Sequence, residues 1–244
     1  MLGIVLAAGG GTRLRPLTNT IPKTLLPVAG DRTILELAVA NMRAVGITDV
    51  VVVTGYCADL VVQAARGLET RYGVTLHCVF NDRHAEWNNA YSLWLARAAF
   101  RESALLINGD TVVPDAVAQR LLDARDQAPI VLALDAVKQL GAEEMKVRLA
   151  PDGTVARISK QLSPDDVDGE YIGLSVIAPT AATELEDALK ATFTEDPSLY
   201  YEDGYQELAR RGGEIRTAGI GETAWVEVDD HDDLALARTI ACRF

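Results

Sequence analysis

Short runs of β-branched residues alternate with stretches of helical periodicity over much of this chain. Such alternation predicts parallel βαβ units, because two parallel strands need a crossover connection long enough to hold a helix. Ile34, Leu37, Ala38, Asn41 and Met42, for example, repeat at the spacing of a helix with one buried face. Strands are predicted at residues 3–7, 49–54, 74–80, 104–108 and 130–134, and helices at 34–45, 58–72, 90–100 and 115–126.

The pattern changes after Leu134. Residues 145–149 and 154–159 flank Pro151-Asp152-Gly153, a strong turn signal, and predict an antiparallel hairpin. A strand at 171–177, helices at 181–191 and 200–210, two short strands and a last helix from His231 complete the elements. No repeat or linker divides the chain, so residues 1–244 are predicted to form a single α/β domain. Its expected core is a Rossmann-like, doubly wound, mostly parallel sheet with a small antiparallel annex.

The charge balance excludes two classes of partner. Lys and Arg total 23 against 35 Asp and Glu, a net charge of −12. Such a chain lacks the basic surface that collects nucleic-acid phosphates or an anionic membrane, so neither is expected as a partner. Three cysteines without CxxC spacing, no signal-peptide pattern and no stretch near the roughly 20 apolar residues of a membrane span predict a cytoplasmic protein. Monomer and homodimer both stay open.

A glycine-rich turn follows the first predicted strand, with the sequence Ala7-Ala8-Gly9-Gly10-Gly11-Thr12-Arg13-Leu14-Arg15-Pro16. Adjacent glycines let backbone N–H groups approach a phosphate chain closely, because no Cβ blocks them. A dinucleotide fingerprint needs a third glycine where this chain has Leu14, and no GKS or GKT follows for a P-loop. Arg13 and Lys23, in Pro22-Lys23-Thr24-Leu25-Leu26-Pro27, add two cations that suit a triphosphate, although each alone also fits an ordinary surface cation.

Together, the glycine turn and Pro22-Lys23 resemble the signature of nucleotidyltransferases that activate sugar phosphates and related compounds. The stretch Asn88-Asn89-Ala90-Tyr91-Ser92-Leu93 is similar to one in bacterial choline-phosphate cytidylyltransferases, where it helps to bind the nucleoside. Asparagine offers a donor and an acceptor to a base edge, although one of these two asparagines also suits the cap of the following helix. The resemblance implies a nucleotide site made of Leu6, Ala7, Ala8, Gly9, Gly10, Gly11, Thr12, Arg13, Lys23, Asn88, Asn89, Ser92 and Gly109.

Two aspartates stand at strand ends. Asp110 follows the apolar run 104–107, and Asp229 closes Trp225-Val226-Glu227-Val228-Asp229. Open α/β sheets bind ligands at the carboxyl ends of their strands, and two carboxylates can hold Mg²⁺ through hard oxygen ligands. Asp110 and Asp229 occupy the positions of the metal ligands in the resembling family, which implies Mg²⁺ as cofactor. The acidic run after Asp229 is expected to cap the last helix instead.

The predicted hairpin brings Lys146 and Lys160 near each other. Like charges across a ladder are unfavourable unless an anion lies between them, and edge-strand lysines that oppose aggregation are the alternative. In the resembling family a lysine here contacts the acceptor phosphate, and the stretch 169–173 looks most like members that act on phosphonates and polyol phosphates. Tyrosines beside carboxylates at 170–171 and 200–203 suit an ammonium head group. The acceptor-binding residues are predicted to be Lys146, Lys160, Glu170, Tyr171, Tyr201 and Asp203.

The resemblance extends from the glycine turn to Asp229 and implies a nucleotidyltransferase. CTP is the expected nucleotide, and the expected acceptor is a small phosphorylated or phosphonate compound similar to phosphocholine, an aminoalkylphosphonate or a polyol phosphate. Arg13, Lys23, Lys146 and Lys160 are the predicted catalytic residues. A sugar-1-phosphate nucleotidyltransferase that uses UTP, GTP or dTTP is the alternative enzyme. A catalytically silent nucleotide-binding or assembly protein on the same scaffold is the alternative of another class.

Overall fold

The computed structural model describes residues 1–243. Within that range the chain forms thirteen strands and seven α-helices. The strands are β1 (Leu2–Ala7), β2 (Pro27–Ala29), β3 (Arg32–Thr33), β4 (Asp49–Thr54), β5 (Thr75–Phe80), β6 (Ala104–Asn108), β7 (Thr111–Val112), β8 (Ile130–Asp135), β9 (Lys146–Leu149), β10 (Val155–Ser159), β11 (Gly169–Ile177), β12 (Ile215–Gly219) and β13 (Val226–Glu227). The helices are α1 (Ile34–Ala44), α2 (Ala58–Tyr72), α3 (Asn89–Leu95), α4 (Asp115–Ala124), α5 (Ala182–Glu195), α6 (Tyr201–Arg210) and α7 (His231–Ala241).

A nine-stranded sheet forms the centre of the molecule. Strands β12, β8, β11, β6, β1, β4 and β5 lie side by side in that order, and the β9–β10 hairpin pairs with the first residues of β11. β1 runs parallel to β4 and β6, β4 to β5, and β8 to β12, whereas β11 is antiparallel to both β6 and β8. This confirms the predicted mostly parallel sheet with an antiparallel annex.

Helices cover both faces of the sheet, and the strands are apolar on both sides as a result. Val5 and Ile107 point into a core that they share with α1, α2 and α4. Their neighbours Ile4 and Leu106 point into a core on the opposite face, shared with α3, α5 and α6. This alternation along each strand follows from the pleat, which sends successive side chains to opposite faces.

A third apolar cluster holds the N-terminal segment against the end of the chain. Leu14 and Leu26, which follow the glycine turn, pack with Val228 after β13 and with Leu234 of α7. Arg238 of α7 strengthens this contact, since its Nε donates to the Pro27 carbonyl oxygen at 3.2 Å. The cluster thereby holds residues 12–29 close to the carboxyl ends of the strands.

One predicted helix is divided in the structure. The stretch predicted as a helix over 90–100 forms α3, which ends at Leu95, followed by a tighter 3-10 helix over Arg97–Glu102. Ser103 then adopts φ 64° and turns the chain directly into β6. Three short strands, β2, β3 and β7, form where the sequence pattern predicted none. Other departures are shifts of element ends; α5, for example, continues to Glu195 instead of ending at 191.

Within residues 1–243, no helix has both the length and the apolar character that a membrane crossing needs.

Phe100→Ala should lower the free energy of unfolding by about 3–5 kcal/mol, because removal of a fully buried ring leaves a cavity beneath the sheet. Phe80→Ala is the matched control, since the Phe80 ring on edge strand β5 is 56% exposed, and it should change stability by no more than about 0.5 kcal/mol. Urea denaturation measures both values. Equal losses in the two variants would contradict the core assignment.

Candidate active site

A cleft opens at the carboxyl ends of β1 and β6, where a parallel sheet leaves room for a ligand. One wall comes from the glycine turn, another from the start of α3, and a third from β13 and the start of α6. The residues that line the cleft are Leu6, Ala8, Gly9, Arg13, Asn88, Asn89, Ser92, Asn108, Asp110, Glu143, Met145, Lys160, Tyr171, Gly173, Tyr200, Glu202, Glu227 and Asp229.

Two glycines shape the base of the cleft. Gly11 has φ +57°, and a Cβ at this position would lie 2.8 Å from the Cβ of Lys23, so a side chain here would push Lys23 aside. Gly109 donates its N–H to the Leu6 carbonyl oxygen at 3.0 Å, and a Cβ at Gly109 would overlap that oxygen. Both glycines therefore permit close approaches of the backbone. Of the other predicted nucleotide-site residues, Ala7, Gly10 and Thr12 adjoin lining residues in the chain.

Three carboxylates converge in the cleft. Asp110 follows β6, Glu227 ends β13 and Asp229 lies two residues further on, and one oxygen from each lies within 4.8 Å of the others. Strand pairing causes this, since Glu227 lies opposite Thr111 and the Val228 N–H donates to the Asp110 carbonyl oxygen at 2.9 Å. The sequence prediction paired Asp110 with Asp229 and omitted Glu227. The alternation of residues along the strand could have identified Glu227. Glu227 and Asp229 lie on one side of the strand, and the buried Val226 and Val228 lie on the other.

Lys23 lies between two of these carboxylates. Its Nζ is 2.8 Å from Asp110 Oδ2 and 2.9 Å from Asp229 Oδ1, and Arg13 Nη2 is 2.8 Å from Asp229 Oδ2. Burial opposes the charge of the ammonium, but the two aspartates more than offset this effect and raise the pKa of Lys23. Burial likewise opposes ionisation of Asp229, and the two cations outweigh it and lower its pKa. Burial, with the charges of both aspartates, raises the pKa of Glu227 to about 8.

The asparagines of the α3 segment hold two helices together. Asn88 is the N-cap of α3, and its Nδ2 donates to the Ser198 carbonyl oxygen at 2.8 Å. Asn89 Oδ1 accepts a hydrogen bond from the Tyr201 N–H at 2.9 Å, in the first turn of α6. Ser92 Oγ accepts from Asn81 Nδ2 at 2.9 Å. Of the two capping alternatives, Asn88 is therefore the cap of α3, while Asn88, Asn89 and Ser92 all also line the cleft.

The structure does not place the Lys146 side chain in the cleft. Lys146 is fully buried, and its Nζ donates to the carbonyl oxygens of Ala142, Glu144 and Lys160 at 3.0, 3.2 and 2.7 Å. An ammonium has three donors, so none is left for an anion. This corrects the predicted anion-binding role of Lys146. Lys160 does line the cleft, with its Nζ 5.0 Å from the centroid of the Tyr200 ring.

Three of the predicted acceptor-binding residues also lie outside the lining of the cleft. Glu170 is buried and pairs with Lys138 Nζ at 2.9 Å. Tyr201 is buried, and its hydroxyl donates to Asn108 Oδ1 at 3.0 Å. Asp203 Oδ2 accepts the Tyr200 N–H at 2.8 Å and caps α6. Each side chain satisfies a structural partner instead, whereas Tyr171 is part of the lining of the cleft.

The acidic run after Asp229 forms a helix cap. Asp230 Oδ1 accepts the N–H groups of Asp232 and Asp233 at 2.9 and 3.0 Å, and Asp233 Oδ2 accepts the Asp230 N–H at 3.1 Å. These reciprocal bonds are a capping box at the start of α7. The capping interpretation of this run is therefore confirmed.

Glu202 lies in the stretch 200–203 that suits an ammonium head group, but it is not among the acceptor-binding residues that the sequence predicts. Its side chain lines the cleft although the residue is only 5% exposed, and its Oε2 has no hydrogen-bond partner among residues 1–243. Burial raises the pKa of Glu202 to about 8. An acidic residue in the first turn of a helix is ordinarily exposed to solvent and interacts favourably with the helix dipole. The sequence pattern therefore did not indicate that Glu202 is buried.

A family model described as nucleotidyl transferase matches residues 2–144. This chain belongs to that family. Two curated relatives are CMP-5'-(3-aminopropyl)phosphonate synthase of Streptomyces rubellomurinus, 33% identical over 94% of this chain, and choline-phosphate cytidylyltransferase of Streptococcus pneumoniae, 38% identical over 43% of it. The matched regions make up 37% and 43% of those two proteins, so each match covers less than half of that relative's length.

Solved structures share the fold over nearly the whole chain. An inositol-1-phosphate CTP transferase from T. maritima matches with a TM-score of 0.81 at 22% identity and covers 98% of this chain and 95% of its own. UDP-glucose pyrophosphorylase complexed with UDP-glucose matches with a TM-score of 0.79 at 16% identity and covers 98% and 97%. At these identities the matches establish the fold of this family member, and they do not identify the nucleotide that it binds.

Replacement of Glu202 by Gln should change how stability depends on pH. The pKa of Glu202 is about 8 in the folded protein and near its ordinary value of about 4.3 when unfolded, so between these values the folded state binds the extra proton. The free energy of unfolding of the wild type should therefore fall by about 2–4 kcal/mol relative to Glu202→Gln between about pH 5 and about pH 8. Denaturation at several pH values measures it, and a constant difference between the two proteins would contradict the assignment.

Proposed function

We propose that this chain is a Mg²⁺-dependent cytidylyltransferase that transfers CMP from CTP to a small phosphorylated or phosphonate acceptor. Residues 1–244 act as a single nucleotidyltransferase domain in this proposal. The observation that carries it is the convergence of Asp110, Glu227 and Asp229 with Lys23 and Arg13 beside the glycine turn. Paired carboxylates and phosphate-binding cations at one strand end suit phosphoryl chemistry, and a simple binding module has no use for them.

The nucleotide occupies the glycine-turn side of the cleft in this proposal. Gly9 faces open space there, and Leu6 and Ala8 form the adjoining wall. Asn88 and Asn89 complete the wall at the start of α3, where amide groups can meet the edge of a base. The two curated relatives described above carry CMP or cytidylyl in their names, which supports CTP over the other triphosphates.

The carboxylate cluster fits a divalent cation. Asp110 Oδ1 is buried and has no hydrogen-bond partner among the described residues, so it is an oxygen that a cation would satisfy. Together with oxygens of Glu227 and Asp229 it makes the hard donor set that Mg²⁺ prefers. When bound, Mg²⁺ would offset negative charge on the phosphates. Lys23 already lies between two of these carboxylates, so cation entry requires its ammonium to shift from them toward the phosphates.

The reaction needs no general base. The acceptor oxygen attacks the α-phosphorus in line, a new P–O bond forms, and the bond to the β-phosphate oxygen breaks to release pyrophosphate. A phosphate acceptor is already largely ionised near neutral pH, since its second pKa is about 6. Arg13 and Lys23 hold the triphosphate and offset the charge that builds on the leaving group, while Lys160 is positioned for the acceptor's anionic end. This accounts for a cleft without histidine or cysteine in its lining.

Thermal denaturation with Mg²⁺ and each nucleoside triphosphate in turn shows which nucleotide the protein binds. CTP at about 100 times its Kd should add roughly 2.7 kcal/mol to the folded state and raise the melting temperature by about 5–10 °C. UTP, GTP and dTTP should give smaller shifts. A larger shift with one of these three would contradict the CTP assignment and favour the sugar-1-phosphate reaction. No shift with any triphosphate would leave either obligatory binding of the acceptor first or the catalytically silent scaffold.

Asp110→Ala should reduce Mg²⁺-dependent pyrophosphate release from CTP and acceptor by a factor on the order of 10³, because the cation loses a central ligand. Asp115→Ala is the matched control, since Asp115 is exposed at the start of α4, and its rate should match the wild type. A coupled pyrophosphate assay measures the rates, and thermal denaturation confirms that both variants fold. Wild-type turnover by folded Asp110→Ala would overturn the metal assignment.

A further inference from the structure

Glu202 is a buried carboxyl group whose pKa, raised by burial to about 8, leaves it mainly protonated near neutral pH until a cation lies beside it. The charge of Lys160 acts on it, yet the two form no ion pair within 4 Å among residues 1–243. Its Oε2 also has no hydrogen-bond partner. Buried carboxylates are strongly destabilising unless they are paired and hydrogen-bonded, so an unpartnered one that faces a cleft marks the place of a ligand group.

On the basis of the proposed function, we propose that Glu202, in the same cleft lining as Tyr171 and Tyr200, is a subsite for the primary ammonium group of the acceptor. The acceptor is then an aminoalkyl phosphate or aminoalkylphosphonate, anionic at one end and cationic at the other. The geometry behind this is a carboxyl group in the lining of the cleft on a residue that is only 5% exposed, with Tyr171 and Tyr200 in the same lining.

A primary ammonium group fits Glu202 Oε2 better than a trimethylammonium group or a hydroxyl group does. Oε2 lacks a hydrogen-bond donor, and a primary ammonium supplies N–H donors together with a positive charge. A trimethylammonium has the charge and no N–H, so it would leave the oxygen unpaired. A hydroxyl has the donor and no charge, so it would leave the ionised form of Glu202 without a cation.

The rest of the lining suits a dipolar acceptor. Lys160 Nζ lies 5.0 Å from the centroid of the Tyr200 ring and forms no ion pair with Glu202 among the described residues, so an anionic and a cationic end can be bound in the same part of the cleft. Tyr200 precedes Glu202 by two residues, and Tyr171 contacts the Tyr201 ring edge to face at 6.2 Å between centroids. Aromatic faces attract an ammonium and hold it without competing for its N–H groups.

The test compares three acceptors that differ only at one end: 2-aminoethylphosphonate, its N,N,N-trimethyl analogue and 2-hydroxyethylphosphonate. With CTP and Mg²⁺, kcat/KM of the wild type should be roughly 10- to 100-fold higher for the primary amine than for either other compound, the range expected for a charged hydrogen bond. In Glu202→Gln this ratio should fall to about one. Glu207→Gln is the matched control, since Glu207 lies on the same helix and pairs with Arg210 and Arg211 outside the cleft, and it should keep the wild-type ratio.

Two outcomes overturn the subsite: no preference for the primary amine in the wild type, or an undiminished preference in Glu202→Gln. Calorimetric titration of the same three phosphonates into wild type and Glu202→Gln, with and without CTP, tests the subsite apart from turnover. Tighter binding of the amine by the wild type alone supports it, and equal binding by both proteins overturns it. Failure of the proposed function looks different, because CTP then neither stabilises the protein nor yields pyrophosphate with any of the three acceptors.

Discussion

The ammonium of Lys23 between Asp110 and Asp229 is the contact on which the arrangement of this cleft depends. Three carboxylates that lie within 4.8 Å of one another repel strongly, and a cation among them or protonation of one of them relieves the repulsion. Lys23 supplies that cation, and Gly11 leaves the space for its stem. Because Lys23 lies in the N-terminal segment and the aspartates follow β6 and β13, this one group links parts of the chain that are far apart in sequence.

The same contact explains how an acidic protein can be suited to anionic substrates. A net charge of −12 repels a triphosphate at long range, so binding depends on a few cations held in place and on backbone N–H groups. Arg13 and Lys23 are held in place by the carboxylates that they neutralise. A divalent cation would take over those carboxylates and release both side chains toward the phosphates. Metal and nucleotide binding are therefore expected to favour each other in the proposed enzyme.

Sequence patterns predicted the scaffold well, because hydrophobic periodicity and turn residues determine it locally. They also singled out Asp110, Asp229, Arg13 and Lys23, which the structure brings together. They were unreliable wherever the direction of a side chain decides its role. Lys146 and Lys160 are neighbours as the hairpin predicts, yet one ammonium points inward to three carbonyl oxygens while the other reaches the cleft. Tyr201, Glu202 and Asp203 are consecutive in α6, so only the packing of that helix decides which of them reaches a ligand.

This contrast bears on how the cleft gains its specificity. Lys146, Glu170, Tyr201 and Asp203 each satisfy a partner inside the protein. Glu202 has no such partner for its buried Oε2. In the proposed enzyme, the penalty of burying that oxygen therefore remains until a ligand donates to it. The proposed enzyme then distinguishes acceptors by whether they leave Glu202 unpaired. Compounds with and without an N–H donor are therefore separated more sharply than compounds that differ only in size.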